Sequence, residues 1–284
     1  GPTGINFVTS GQDFIDTYGV PTKDNPSMYA ALRFINRAAA MTVVRVINDA
    51  TTATATLTGN AASSDGSSPS GTDTVMSFSA LNEGSWGNDV VVSFSELDGE
   101  NMFVLSVEYK GQETERFEVS RDPDAKNGFG STMYVEEVVN RRSNFITVED
   151  DVTFPVGADW AKTARITLSG GADDTSVASD AEIINGYEMM TNTDSVEAQI
   201  LINAGWASPN IQQAMDNVAR ERDDCVAILD VPFNYRFSPD DMVEYQNIDL
   251  QLDNHLSGLY GGWLQVYDKF NDRNIDIPPS GDVA

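Results

Sequence analysis

The first 48 positions carry a strand rhythm, then a helical one, then a strand again. Ile5-Asn6-Phe7-Val8 is short and apolar and predicts a strand, and Asp13 to Gly19 reads as a helical turn closed by its glycine. Asn25-Pro26 marks a helix start, a capping side chain followed by proline at the first helical position. Met28, Leu32, Ile35 and Ala39 then recur at spacings of three and four, the buried face of that helix. Thr42 to Ile47 is a β-branched run that predicts a buried strand. The rhythm stops at residues 50–73, almost wholly Thr, Ala, Ser, Gly and Asp around Leu57, which read as a flexible surface excursion. Three β-like runs follow, Asp89 to Phe94, Met102 to Tyr109 and Glu115 to Val119. Gly99 and Gly111 stand at the turns, so an antiparallel meander is expected. Thr132 to Asn140 predicts a helix with Tyr134, Val135, Val138 and Val139 on one face. Strands follow at Phe145 to Val148 and Arg165 to Leu168, and the segment closes at Ser169-Gly170-Gly171.

Beyond that point helix and strand patterns alternate. Ser179 and Glu182 form a capping box ahead of Ile183, Ile184, Tyr187 and Met190, and Glu197 to Ile202 reads as a strand. Ser208-Pro209 opens a helix with Ile211, Met215 and Val218 inward. Cys225 to Leu229 is wholly apolar, as in a strand covered on both faces. Ser238-Pro239-Asp240-Asp241 opens another helix with carboxylates at the positive end of its dipole, and Leu259 to Val266 reads as the last strand. The expected fold is an α/β core, a mixed sheet flanked by helices, made from 1–48 plus 173–284. A β-rich α+β domain inserted at 49–172 interrupts it, and no internal repeat is visible.

Charge narrows the partners. Of 284 residues, 44 are acidic and 17 basic, a net charge of −27. Such a surface repels phosphates and anionic lipid headgroups, so neither direct nucleic-acid binding nor membrane insertion is expected. The same acidity also fits a salty habitat. One cysteine, Cys225, and one histidine, His255, exclude an intrachain disulfide, a cysteine metal cluster and any site that needs two imidazoles. No apolar run approaches the roughly 18 residues of a membrane span, and nothing resembles a signal peptide. The chain opens on Gly1-Pro2 and closes on Ser280 to Ala284, which reads as cut at both ends.

Candidate chemistry is sparse. Asp230 follows an apolar strand in an α/β pattern, the place where ligands gather; its competing role is a turn residue that satisfies local amides. The acid pairs 150–151, 173–174, 223–224 and 240–241 lack calcium-loop spacing and read as cap and loop residues. Ser169-Gly170-Gly171 has no P-loop lysine, no G-x-G-x-x-G follows a strand, and no G-x-S-x-G elbow exists. His255 is expected in a hydrogen-bonded packing role and Cys225 as a buried, inert thiol. Tyr260, Trp263 and Tyr267 suggest either a sugar platform or, more simply, core and subunit packing. The expectation is a non-enzyme with no catalytic, cofactor or metal site.

Six segments in order carry a resemblance. Gly1-Pro2 leads to Val8-Thr9-Ser10, Asp13-Phe14 and Tyr18-Gly19; the 26–39 helix leads to Val43-Val44-Arg45-Val46; and Gly84-Ser85-Trp86-Gly87-Asn88-Asp89 follows. Then come Leu168-Ser169-Gly170-Gly171, Ala227 to Pro232, and Tyr260 to Lys269 with Pro278 to Ala284. Together they resemble the sheath subunits of contractile (myovirus-type) phage tails, with Gly261-Gly262-Trp263 standing where that family has an aromatic-proline-tryptophan step. The resemblance implies a structural virion protein, assembled in the host cytoplasm, that stacks with neighbouring copies of itself in a helical sheath around an inner tail tube above a baseplate. Contraction would drive the tube through the host envelope. It further implies that both terminal arms exchanged between neighbours lie outside residues 1–284, leaving this piece a monomer. A surface adhesion or carbohydrate-binding module is the alternative reading.

Overall fold

The computed structural model describes residues 1–22, 25–60, 73–97, 101–156 and 158–284. It is a mixed α/β protein that divides into two compact units, Gly1–Asn48 with Val177–Ala284, and Asp49–Ser176. Gly99 and residues 61–72 of the low-complexity stretch lie outside the described residues.

Unit 1 begins with β1 (Gly4–Val8), α1 (Gly11–Tyr18), α2 (Pro26–Ile35) and β2 (Met41–Arg45). Ser10 caps α1 by accepting from the Asp13 amide, and Gly19, at φ 90°, ends it as expected. Asn25 stands at the cap of α2 but its side chain makes no cap bond; Pro26 alone sets that start. Leu32 and Ile35 face inward with Tyr29 and Ala30, whereas Met28 is half-buried and Ala39 lies exposed beyond the helix. β1 and β2 pair antiparallel from Gly4↔Arg45 to Val8↔Met41 and close over Phe14, Leu32 and Ile35. β2 was expected to be buried; with a single partner strand it is mostly half-buried.

Unit 2 holds β3 (Thr54–Asn60), β4 (Asp73–Ala80), a 3-10 turn (Ser85–Asp89), β5 (Val90–Glu96), β6 (Met102–Tyr109) and β7 (Gln112–Ser120). After these come α3 (Val135–Arg142), β8 (Ile146–Asp150), β9 (Asp159–Trp160) and β10 (Arg165–Thr167). Two four-stranded antiparallel sheets, in the orders β8-β4-β3-β9 and β10-β5-β6-β7, share one core. The meander β5-β6-β7 turns at Lys110-Gly111, both at positive φ, the backbone a two-residue hairpin requires. The surface-excursion reading of 50–73 fails at its start, because Thr54–Asn60 is an interior strand. Thr54, Thr56 and Thr58 face solvent while Leu57 and Gly59 face the core. A Cβ on Gly59 would stand 2.8 Å from both Phe154 and Val75, so glycine is set there by packing.

Unit 1 resumes with α4 (Asp180–Glu188), β11 (Ile200–Ile202), α5 (Pro209–Arg222) and β12 (Val226–Asp230). α6 (Pro239–Glu244) runs into a π-helical stretch, Tyr245–Leu250, before β13 (Ser257–Tyr260), β14 (Leu264–Asp268), β15 (Arg273–Ile277) and α7 (Ser280–Val283). The capping box at Ser179 and Glu182 is formed. β11, β12 and β13 make a parallel sheet with β12 central, which suits its apolar sequence. The single strand expected over 259–266 is two: Gly262, at φ 85°, breaks it, so β13 completes the parallel sheet and β14 pairs with β15. No helix among the described residues is long and apolar enough to cross a membrane.

The core of unit 2 centres on edge-on rings, with Phe103 5.1 Å and Phe94 5.6 Å from Trp160. Phe103→Ala is expected to lower the stability of unit 2 by about 3–5 kcal/mol, read from hydrogen exchange of the β5–β7 amides. A loss below about 1 kcal/mol would show that this cluster does not close the core.

Candidate functional site

The motif residues meet at two sealed junctions, one in each unit. In unit 1 the junction forms around the carboxyl end of β12. Asp230 is fully buried. Its Oδ1 accepts from the Ser280 amide at 2.8 Å, and its Oδ2 accepts from the Ser280 hydroxyl at 2.7 Å and the Gly205 amide at 2.8 Å. Ala204 and Gly205 both take positive φ, which turns successive amides toward this point, and the Ala204 amide donates to Ser280 Oγ. Asn203 Oδ1 accepts from the Asp230 amide and from Gln212, and Gln212 also donates to the Asp230 carbonyl and accepts from Tyr245. Asp230 therefore satisfies amides, as the turn reading had it, but remote ones, 25 and 50 residues away, rather than local ones.

The crevice in which an open α/β sheet would hold a ligand is filled here by α7. Gly281 lies so close to α2 that a Cβ would stand 2.1 Å from the Ala30 carbonyl oxygen. Asp282 takes a two-pronged bond from Arg33, Nη2 to Oδ1 at 2.7 Å and Nε to Oδ2 at 2.8 Å, and a second ion pair with Arg37. Burial holds the Asp230 carboxyl above its ordinary range in spite of its donors. Burial also pushes Asp282 up, but the Arg33 and Arg37 bonds outweigh it and hold Asp282 below that range.

In unit 2 the junction lies where the chain enters and leaves. Asn88 Nδ2 donates to the Gly171 carbonyl at 2.7 Å and its Oδ1 accepts from the Gly171 amide at 2.9 Å. Asp173 accepts from the amide and hydroxyl of Ser85, Asp174 from the amides of Asp49 and Ala50, and Asp49 from Thr175. These bonds place residues 173–176 with unit 2, a few positions beyond the boundary expected at 172. A Cβ on Gly171 would lie 2.5 Å from the Gly84 carbonyl, and one on Gly87 would lie 2.7 Å from Ala53 Cβ. Trp86 packs edge-on to Tyr109 with Phe145 beside it.

The other candidates disperse. Asp150 is buried against Arg121 at 2.6 Å, Asp224 pairs with Arg222, Asp223 ends α5 in the left-handed region, and Asp240 and Asp241 occupy the first turn of α6. Among the described residues no group of three or more His, Cys, Asp or Glu gathers as a metal would need. Cys225 is buried, and burial pushes its thiol up. His255 is exposed on a loop, not packed as expected, because Leu252 and Leu256 on either side supply the core contacts there. Tyr260 and Tyr267 sit in different sheets, and Trp263 turns inward to bond the Val231 carbonyl and meet Phe233 edge-on, so the three form no common platform.

Two predictions follow the chemistry of the first junction. Asp230→Ala strands the Ser280 and Gly205 amides and is expected to cost about 3 kcal/mol or more in urea unfolding; a cost under about 1 kcal/mol would mean the junction is not structural. Asp282, with its lowered pKa, stabilises the fold above its unfolded pKa and loses that contribution as pH falls through the folded one. Its arginine partners are about half-exposed, so Asp282→Asn is expected to cost about 1 kcal/mol at pH 7. The gap from the native chain should narrow as pH falls below the ordinary aspartate range, and a gap that stays constant on acidification would exclude the ionic origin.

No family model matches the chain. It is 22% identical over 209 residues to the tail sheath protein of Vibrio phage KVP40, covering 65% of this chain and 30% of that protein. It is 26% identical over 188 residues to the tail sheath protein of Salmonella phage ViI, covering 64% of this chain and 27% of that one. Among solved structures it is similar to the sheath tail protein of Listeria innocua, with a TM-score of 0.57 at 12% identity, covering 98% of this chain and 50% of that one. It is also similar to the sheath tail protein of Desulfitobacterium hafniense, with a TM-score of 0.51 at 15% identity, covering 99% of this chain and 53% of that one. The chain thus spans about 30% of the length of the curated relatives it matches and about half of these solved chains. In sequence this chain is similar to phage tail sheath proteins, and in fold it is similar to sheath tail proteins.

Proposed function

We propose that the chain is part of the structural subunit of a contractile tail sheath. It polymerises with its own copies around an inner tube, is anchored at a baseplate, and rearranges on contraction to drive the tube through the host envelope. On this reading unit 1 is the sheath core, unit 2 is a domain inserted into it, and the protein is assembled in the host cytoplasm and resides in the virion tail. It is not an enzyme and takes no cofactor. The observation that carries the reading is that the residues resembling sheath motifs are spent on sealing junctions. Asp230, Ser280, Gly281, Asn88 and Gly171 hold chain segments together and leave no reacting group open to a substrate. A load-transmitting subunit needs such junctions, whereas a catalyst needs an accessible polar pocket.

At a net charge of −27, copies repel one another unless specific contacts intervene, with screening over roughly 8 Å at physiological salt. Main-chain strand addition between neighbours supplies contacts that do not depend on charge. Residues 1–284 alone are accordingly expected to remain monomeric in light scattering at moderate concentration and at raised salt. The full-length sheath protein is expected to form regular tubes in negative-stain electron microscopy. Failure of the full-length protein to polymerise, alone or around its tube, would overturn the reading. Regular tubes from residues 1–284 alone would overturn the assignment of the decisive contacts to strand exchange.

A further inference from the structure

In a chain with 44 acidic and 17 basic residues, most arginines are tied to carboxylates. Arg33, Arg37, Arg121, Arg165, Arg220, Arg222, Arg236 and Arg273 all stand in ion pairs. Arg116, Lys126, Arg141 and Arg142 stand in none among the described residues, and neither do Lys110, Lys162 and Lys269. Two of them, Arg116 and Arg142, line an open groove of about 370 Å³ in unit 2 together with Phe117, Glu118, Asn127 and Met133. The Arg142 guanidinium stands 5.7 Å from the Phe117 ring, and Lys126 and Arg141 adjoin the lining residues along the chain. Glu118 is the one carboxylate of the lining.

The turn beside the groove is built to hold its tip. Lys126 and Thr132 pair across it, Asn127 Oδ1 accepts from the amides of Phe129 and Ser131, and the Asn127 amide donates to the Ser131 carbonyl. Gly130 supplies the left-handed corner at φ 81°. The residue so presented is Phe129, 97% exposed. An ordered turn that keeps a phenyl ring in water gains nothing within one molecule, and an exposed aromatic beside a groove that holds arginines has the composition of an interface anchor.

The chain also carries a surface of the opposite character. Asp240, Asp241, Glu244 and Asp249 are exposed around Val243 and Ile248, which are exposed too, and Phe237, 82% exposed, precedes them. We propose that the basic groove and Phe129 of unit 2 receive, from a second copy of the chain, the acidic and apolar face of residues 237–250. The match is double, carboxylates to unpaired guanidinium groups and apolar side chains to a phenyl ring. A contact between unlike surfaces is heterologous, and such contacts build open helical arrays. The inference rests on the sheath reading only in that the sheath brings copies side by side.

Phe129→p-benzoylphenylalanine, a change at an exposed site, tests it by photo-crosslinking. Both tubes of the full-length protein and residues 1–284 at high concentration are irradiated, and the adducts are mapped by mass spectrometry. Adducts are expected within residues 237–250 of another copy. Arg116→Glu with Arg142→Glu should cut their yield about tenfold, corresponding to roughly 1.4 kcal/mol, and adding Asp240→Arg with Glu244→Arg should restore it. Circular dichroism confirms that each variant is folded. Adducts elsewhere, no adducts, or no restoration in folded variants would overturn the contact. Tubes with adducts elsewhere would overturn the contact and leave the sheath reading standing. Adducts at 237–250 in residues 1–284, with no tubes from the full-length protein, would do the reverse.

Discussion

A carboxylate at the end of an apolar parallel strand is costly to bury, because it loses its hydration and gains nothing unless donors replace the water. Asp230 meets that condition with two backbone amides and a hydroxyl drawn from residues 205 and 280. The arrangement of unit 1 around the parallel sheet depends on it. The left-handed pair Ala204-Gly205 is held in place by the bond to Asp230, and the start of α7 is fixed by Ser280. α7 then fills the crevice beyond the strand and presents Asp282 to the arginines of α2. A residue at the position of a ligand-binding acid is thereby converted into a peg. Even protonated, it keeps acceptor lone pairs, and the Ser280 hydroxyl can reverse to accept, so the raised pKa of Asp230 does not make the junction fragile in acid.

Unit 2 closes its entry and exit with a neutral amide pairing beside the carboxylates of Asp49, Asp173 and Asp174. Asn88 offers one donor and one acceptor to the two backbone groups of Gly171, an amide-to-amide pairing that satisfies both of them. The approach is possible only because Gly87 and Gly171 lack side chains where a Cβ would overlap a neighbouring methyl or a carbonyl oxygen, and because Gly84 can hold φ 128°. The glycines and the asparagine that resemble a family motif are therefore one device, separated by more than 80 residues in sequence.

What was legible in the sequence follows the range of the interactions involved. The Ser179, Ser208 and Ser238 caps are local, and the helices they open stand where the pattern put them. The meander β5-β6-β7 was equally readable from apolar runs broken by turn residues. β3 was not, because its inward residues are Ala55, Leu57 and Gly59, too small to register as apolar alternation, although its outward threonines kept a period of two. The break between β13 and β14 was missed because Gly261-Gly262 interrupts a run otherwise rich in strand formers. The role of Asp230 could be narrowed but not completed, since its partners belong to segments that only the tertiary fold brings near.

The few cations of this chain show where electrostatic attraction is used. Arg222 is buried at the end of α5, where it bonds the carbonyls of Met190, Val196 and Ala198 and pairs with Asp224, tying a loop to a helix. Arg121 does the same in unit 2 with Asp150 and the carbonyls of Asp151 and Phe154. Guanidinium suits this work because its planar fork of donors reaches several carbonyls at once, which an ammonium cannot do. Arg121 and Arg222 are committed to the interior, and the −27 charge follows from 44 acidic residues against 17 basic ones. Such a surface keeps copies apart at long range. Attraction between copies then has to be short-ranged, built from main-chain hydrogen bonds, apolar burial and the few cations not already committed. Contacts of that kind hold firmly in register and are lost once register is left.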